Sequence, residues 1–140
     1  DLNHLLSNLG GIIITRYFLI KLGIQSRFFY LKFICICSFL NFFIIWIYER
    51  ILLYFFYFYP NYAALGFSVI IYASFGFILL TSFYGKSYFL GGKIGLKSNY
   101  EIQKMSKTIC LIGLIFSFLP GVSLLGHTSG FIAGCLLFLI

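Results

Sequence analysis

Near-continuous apolar stretches, separated by shorter polar ones, set the pattern of this chain. They occupy residues 5–20, 33–48, 63–84, 108–118 and 126–140. Transmembrane β-strands would instead alternate in segments of ~10 residues, which these runs do not. At about 20 residues per membrane span, the pattern predicts an all-α, polytopic transmembrane bundle of about five helices in one domain over 1–140. Glu49 and Arg50 close the second run, and an aromatic stretch at 54–62 with Pro60 and Asn61 reads as an interfacial connector. A polar, lysine-rich loop at 85–107 follows the third run, and Pro120, Gly121 and Ser123 make a tight connection before the last. No internal repeat or second domain is visible.

Composition narrows the class. Of the 140 residues 61% are hydrophobic and 9% charged, whereas soluble domains carry about 25% charged residues. An ordinary soluble globule and a disordered segment are therefore excluded. Ten Lys/Arg against three Asp/Glu give a net charge of +7. The excess has an address. Arg16, Lys21, Arg27 and Lys32 flank the first connection, and Lys86, Lys93, Lys97, Lys104 and Lys107 fill the third. By the positive-inside rule that side is cytoplasmic, so the basic residues imply topology and anionic headgroups rather than nucleic acid. Runs one, three and five then all begin on the outer side. The cysteines Cys35, Cys37, Cys110 and Cys135 lie in apolar runs without metal-ligand spacing. They read as small apolar fillers, with no metal or cofactor expected.

Three polar clusters stand at those outer starts. His4 and Asn8 are four residues apart, on one helix face about 6 Å apart along the axis. Ser68, Tyr72 and Gly76 step by four after Gly66. The third cluster is Gly126-His127-Thr128-Ser129-Gly130, and Gly126, Gly130 and Gly134 form a small-xxx-small ridge. Taken singly, each has an ordinary explanation. A serine in a membrane helix usually bonds the carbonyl four residues back, and GxxxG is a common packing device. Their conjunction at one depth is more telling, because polar groups inside a bundle are costly and mark function by default. A transporter or channel subunit would spread polar residues through the spans or break helices at the midplane.

The segments NHLLSNLGG (3–11), GFSVIIYASFG (66–76) and GHTSGFIAG (126–134) resemble the rhomboid intramembrane serine proteases. The family motifs are H-x-x-x-N on the second helix, G-x-S on the fourth and (A/G)-H-x-x-G-x-x-x-G on the sixth. LIKLGIQSRFF (19–29) is similar to the family's turn after the second helix. The likeness covers helices two to six of a six-helix core. It implies a first helix upstream of Asp1 and a sixth that continues past Ile140.

What the resemblance implies is an intramembrane serine endopeptidase that cleaves transmembrane helices of other membrane proteins with a Ser-His dyad and no cofactor. Ser68 would be the nucleophile and His127 the general base. His4, Asn8 and the Ser68 backbone N–H would stabilise the oxyanion. Tyr72 would pack on the His127 ring. Gly66 flanks the nucleophile, and Gly130 and Gly134 would let the last helix approach the third closely. The chemistry suits these residue types: a serine hydroxyl is a weak nucleophile until a base takes its proton, and neutral histidine does so at ordinary pH. The substrate helix would have to unwind, since its carbonyls are otherwise bonded internally. The protein would be a multi-pass integral membrane protein, in the plasma membrane if prokaryotic. The alternative is a catalytically inactive rhomboid-like protein that binds membrane helices. Val69, where most of the family has glycine, favours that alternative; the presence of Ser68, His127, His4 and Asn8 favours the protease.

Overall fold

The computed structural model describes residues 2–56, 66–85, 100–119 and 122–140. Among them are five helices and no strand: α1 (Leu2–Lys21), α2 (Arg27–Phe56), α3 (Ser68–Tyr84), α4 (Tyr100–Phe116) and α5 (Leu124–Leu139). The fold is all-helical. One described helix, α2, is long and apolar enough to cross a membrane; α3 and α5 are apolar but shorter, at 17 and 16 residues.

Element boundaries depart from the hydropathy pattern in instructive places. The second helix was expected over 33–48 but runs through Glu49 and Arg50 to Phe56. No Gly or Pro interrupts residues 27–56, and a charged pair alone does not break the backbone ladder. The fourth begins at Tyr100 rather than 108, taking Lys104 and Lys107 into its first turns. Residues 100–107 contain Glu, Gln, Lys and Met, all good helix formers. The third begins at Ser68, not at residue 63. The rest of the aromatic connector (57–62), residues 63–65, Lys86, Lys93, Lys97 and the Pro120-Gly121 turn lie outside the described residues.

Helix α1 ends in a left-handed turn. Gly23 adopts φ 76°, and the N–H groups of Ile24 and Gly23 donate to the carbonyls of Leu19 (2.8 Å) and Ile20 (2.9 Å). This is the Schellman arrangement, in which a residue without Cβ takes the left-handed position. Its usual apolar contact accompanies it, since Leu19 and Ile24 are both buried.

Helix α3 is the centre. It touches each of the other four, with its most extensive interface on α5, and α2 also packs on α5. Its buried residues fall on every side, from Val69 to Ser82, as expected of a helix that is apolar all round. Phe77 is fully buried among the rings of Phe29, Phe33 and Phe138, with centroids at 5.8, 5.5 and 6.3 Å. Phe18, Leu19, Leu22, Ile24 and Leu137 complete this core.

The α3–α5 interface is a backbone contact. A Cβ added at Gly134 would overlap the Ala73 carbonyl oxygen, one at Gly130 that of Val69, and one at Gly76 that of Phe131. The pairs advance together, 69 with 130 and 73 with 134, so the two helices run in the same sense.

Polarity is partly inverted. Asn41, Thr81, Ser106 and Ser129 are almost wholly buried, while Phe28, Phe39, Phe42, Leu111, Ile115 and many other large apolar side chains are exposed. The buried polar groups join helices. Ser129 Oγ donates to Asn41 Oδ1 at 2.6 Å, linking α5 to α2, and the hydroxyls of Ser82 and Ser106 bond at 2.8 Å, linking α3 to α4. Replacing Asn41 by Ala should remove the first link and leave a void beside Ser129. The expected cost is roughly 1–3 kcal/mol, to be read as a lower unfolding midpoint in detergent; an unchanged midpoint would deny Asn41 this role.

Candidate functional site

Helix starts bring the site residues to one level. Ser68 is the first residue of α3. Ser74 and Thr81, deeper in that helix, donate to the carbonyls four residues back. Among the described residues Ser68 Oγ makes no hydrogen bond, and its backbone N–H makes none to the main chain. The first N–H groups of a helix have no intrahelical acceptor and carry its positive dipole end. Gly66 lies beside the hydroxyl: a Cβ there would stand 3.3 Å from Ser68 Oγ. Val69 is buried, its main chain against Gly130.

His127 occupies the first turns of α5. Ser123 caps that helix by accepting the Gly126 N–H at 3.1 Å, and the His127 N–H donates to the Ser123 carbonyl at 3.0 Å. The cap therefore fixes the backbone that carries the imidazole. The ring is buried and lies flat on Tyr72, with centroids 3.8 Å apart and planes 14° apart. The glycine contacts set the register: with Val69 against Gly130 and Tyr72 against His127, the imidazole stands level with the first turn of α3, where Ser68 is. No hydrogen bond joins Ser68 to His127 among the described residues.

His4 and Asn8 lie on the first turns of α1, and the Asn8 amide nitrogen donates to His4 Nε2 at 3.2 Å. Helix α1 runs in the same sense as α3. Gly11 lies against Ile71, and further along Phe18 and Leu19 join Phe77 and Ile78 in the core. Asn8, three residues before Gly11, is thereby level with Ser68, three before Ile71. The structure thus brings the starts of α1, α3 and α5 to one end of the bundle, with Tyr72, Gly130 and Gly134 at the α3–α5 contact.

Spacing gave no sign of Ser117. This buried residue follows α4, and its Oγ lies 2.9 Å from His127 Nδ1, 3.1 Å from Tyr72 Oη and 2.9 Å from the Gly113 carbonyl. Tyr72 Oη donates to the same carbonyl at 2.6 Å. Gly113 makes room for these rings, since a Cβ there would stand 3.3–3.4 Å from Phe75 and Tyr72. The imidazole is therefore held on one face by a ring and at Nδ1 by a hydroxyl.

Described basic residues gather mainly at the opposite end. Arg16 and Lys21 close α1, Arg27 and Lys32 open α2, and the Lys107 ammonium lies 4.8 Å from the Phe83 ring centroid near the end of α3. Chemically, the arrangement offers, among the described residues, a Ser68 hydroxyl and main-chain N–H without a partner, a positioned imidazole and an amide on the first turns of α1. Comparison with protein-family models, with curated proteins and with solved structures gave no match.

Proposed function

We propose that this protein is a multi-pass intramembrane serine endopeptidase of the rhomboid type, with Ser68 as nucleophile and His127 as general base. The observation that carries the reading is the buried imidazole stacked on Tyr72, one turn of α3 from Ser68, whose hydroxyl makes no hydrogen bond among the described residues. His4, Asn8 and the Ser68 N–H supply donors at that level for a developing oxyanion, each worth roughly 3–4 kcal/mol of barrier in comparable sites. The apolar outer faces and buried polar links support a bilayer setting, where helices associate through small residues and hydrogen bonds rather than through the hydrophobic effect. The basic end opposite the site supports an outward-facing active centre. The substrate would be a transmembrane helix, unwound locally to free a carbonyl.

A second reading is a rhomboid-like protein that binds membrane helices without cutting. It is favoured by the absence of a Ser68–His127 hydrogen bond among the described residues. Nucleophile–base contacts are often long before substrate binds and tighten in the complex, which keeps proteolysis the better reading.

The test is the full-length protein in liposomes, given a fluorophosphonate probe and a model transmembrane substrate. Labelling and cleavage are expected, and Ser68→Ala should abolish both. Cleavage that persists in the variant would remove Ser68 as nucleophile. A folded protein that neither labels nor cleaves would overturn the protease reading and leave the second one standing.

A further inference from the structure

We infer that Ser117, together with Tyr72 and the Gly113 carbonyl, fixes His127 in its Nδ1–H tautomer and leaves Nε2 as the basic nitrogen. The argument is a count of protons. Tyr72 has one hydroxyl proton, and its 2.6 Å contact gives that proton to the Gly113 carbonyl. Ser117 also has one, and three acceptors lie in reach: the Gly113 carbonyl, Tyr72 Oη and His127 Nδ1. If Ser117 donates to Nδ1, the network holds two side-chain hydrogen bonds, and the lone pairs of both hydroxyls receive nothing. If Nδ1 carries a proton, it donates to Ser117 Oγ, and Ser117 donates to Tyr72 Oη, since the Gly113 carbonyl already accepts the Ser117 main-chain N–H and the Tyr72 hydroxyl. The network then holds three.

Ser117 and His127 are buried, where each added hydrogen bond is worth more than in water. The fuller network is therefore the stable one. Which ring nitrogen holds the proton is set by the partner of the other. Ser117 would thus do for this imidazole, as a neutral acceptor, what a buried carboxylate does in a three-residue triad. Ser117 is a positioning residue: it acts through His127 and touches no reacting atom.

The catalytic consequence rests on the proposed protease reading; the tautomer does not. The experiment is nitrogen NMR of full-length protein labelled with ¹⁵N-histidine, in nanodiscs at a pH where the imidazole is neutral. A His4→Gln background removes the other histidine of residues 1–140. His127 should show a protonated Nδ1 and a bare Nε2. Ser117→Ala should move the ring toward the Nε2–H form that an unconstrained histidine side chain favours, and Ser117→Thr should keep the native pattern. With His4 restored, Ser117→Ala should lower kcat roughly tenfold at unchanged KM, as expected when part of the general base is mis-protonated, with Thr restoring it. A bare Nδ1 in the unmodified network, or a spectrum indifferent to Ser117→Ala, would overturn the inference. A tautomer shift without a fall in kcat would refute its catalytic role. Cleavage that survives Ser68→Ala would remove the protease reading and leave the tautomer assignment standing.

Discussion

Gly134→Ala should loosen the central helix pair and destabilise the protein by roughly 2–4 kcal/mol, because the overlap begins at the Cβ itself. The added methyl would meet the carbonyl oxygen of Ala73, with Ala73 C and Cα behind it. A flexible side chain can rotate away from such an intrusion. A helix carbonyl cannot, since it is tied into the backbone ladder, so the helices must separate. Overpacking ordinarily costs about 1–3 kcal/mol where side chains adjust; a backbone obstacle places this case at the upper end. Separation would also weaken the close Cα–H···O contacts that such crossings permit, each worth about 0.5–1 kcal/mol. The control is Gly10→Ala. Gly10 is also helical, yet among the described residues nothing lies within 4 Å of the position its Cβ would take. That substitution should be neutral or stabilising by about 0.5–1 kcal/mol, from helix propensity alone. Both are read as unfolding midpoints in detergent. Equal midpoints for the two variants would refute the backbone contact between α3 and α5. On the proposed protease reading, Gly134→Ala should also depress cleavage, since the same contact sets the register of His127 against α3.

How much of this was legible in the sequence depends on what kind of signal each feature leaves. Helices in apolar runs announce themselves through hydropathy, so α1 and α5 lie close to their expected extents. The ends of α2 and α4 were obscured because charge was taken as a boundary, whereas the backbone responds to Gly, Pro and capping. The glycines of α5 were readable as a close-packing ridge and Gly76 as a small residue on the helix facing it, and the structure seats Gly76 against Phe131 of α5. His4, Asn8, Ser68 and His127 stood out as polar residues at the starts of apolar runs. Ser117 did not. It has the carbonyl of Gly113 four residues back within 2.9 Å, the ordinary arrangement for a serine in an apolar helix. Its other partners, Tyr72 and His127, are 45 and 10 residues away and are brought to it only by packing. Asn41 was equally silent, since its partner Ser129 is 88 residues distant. Tertiary polar pairs of this kind leave no period in the sequence.

His127→Ala should leave the fold standing and, on the proposed protease reading, remove catalysis. The imidazole is not part of the glycine crossing; it lies beside it, against Tyr72 and Ser117. Its loss leaves Ser117 Oγ with the Gly113 carbonyl and Tyr72 Oη still in reach, so no hydroxyl there is stranded. What disappears is the ring stack, worth about 0.5–1.5 kcal/mol beyond buried area, together with the volume of the ring. A fall in stability of roughly 2–3 kcal/mol is therefore expected. The effect on rate should be far larger. A positioned general base contributes about 10²–10⁴-fold. Removing a member of a cooperating nucleophile–base unit costs as much as removing the unit, up to ~10⁶-fold in a well-studied serine protease. Cleavage of a transmembrane substrate should therefore drop at least a hundredfold, and fluorophosphonate labelling of Ser68 should fall with it, because both need the hydroxyl proton to be taken. Tyr72→Phe separates base from support: it keeps a ring beneath the imidazole but deletes the hydroxyl that bonds Gly113, so it should cost far less activity. If His127→Ala is folded and retains a tenth of the native rate, the base lies elsewhere and the stacked imidazole is only packing. If the Tyr72→Phe loss matches that of His127→Ala, the hydroxyl network rather than the imidazole alone sets the rate.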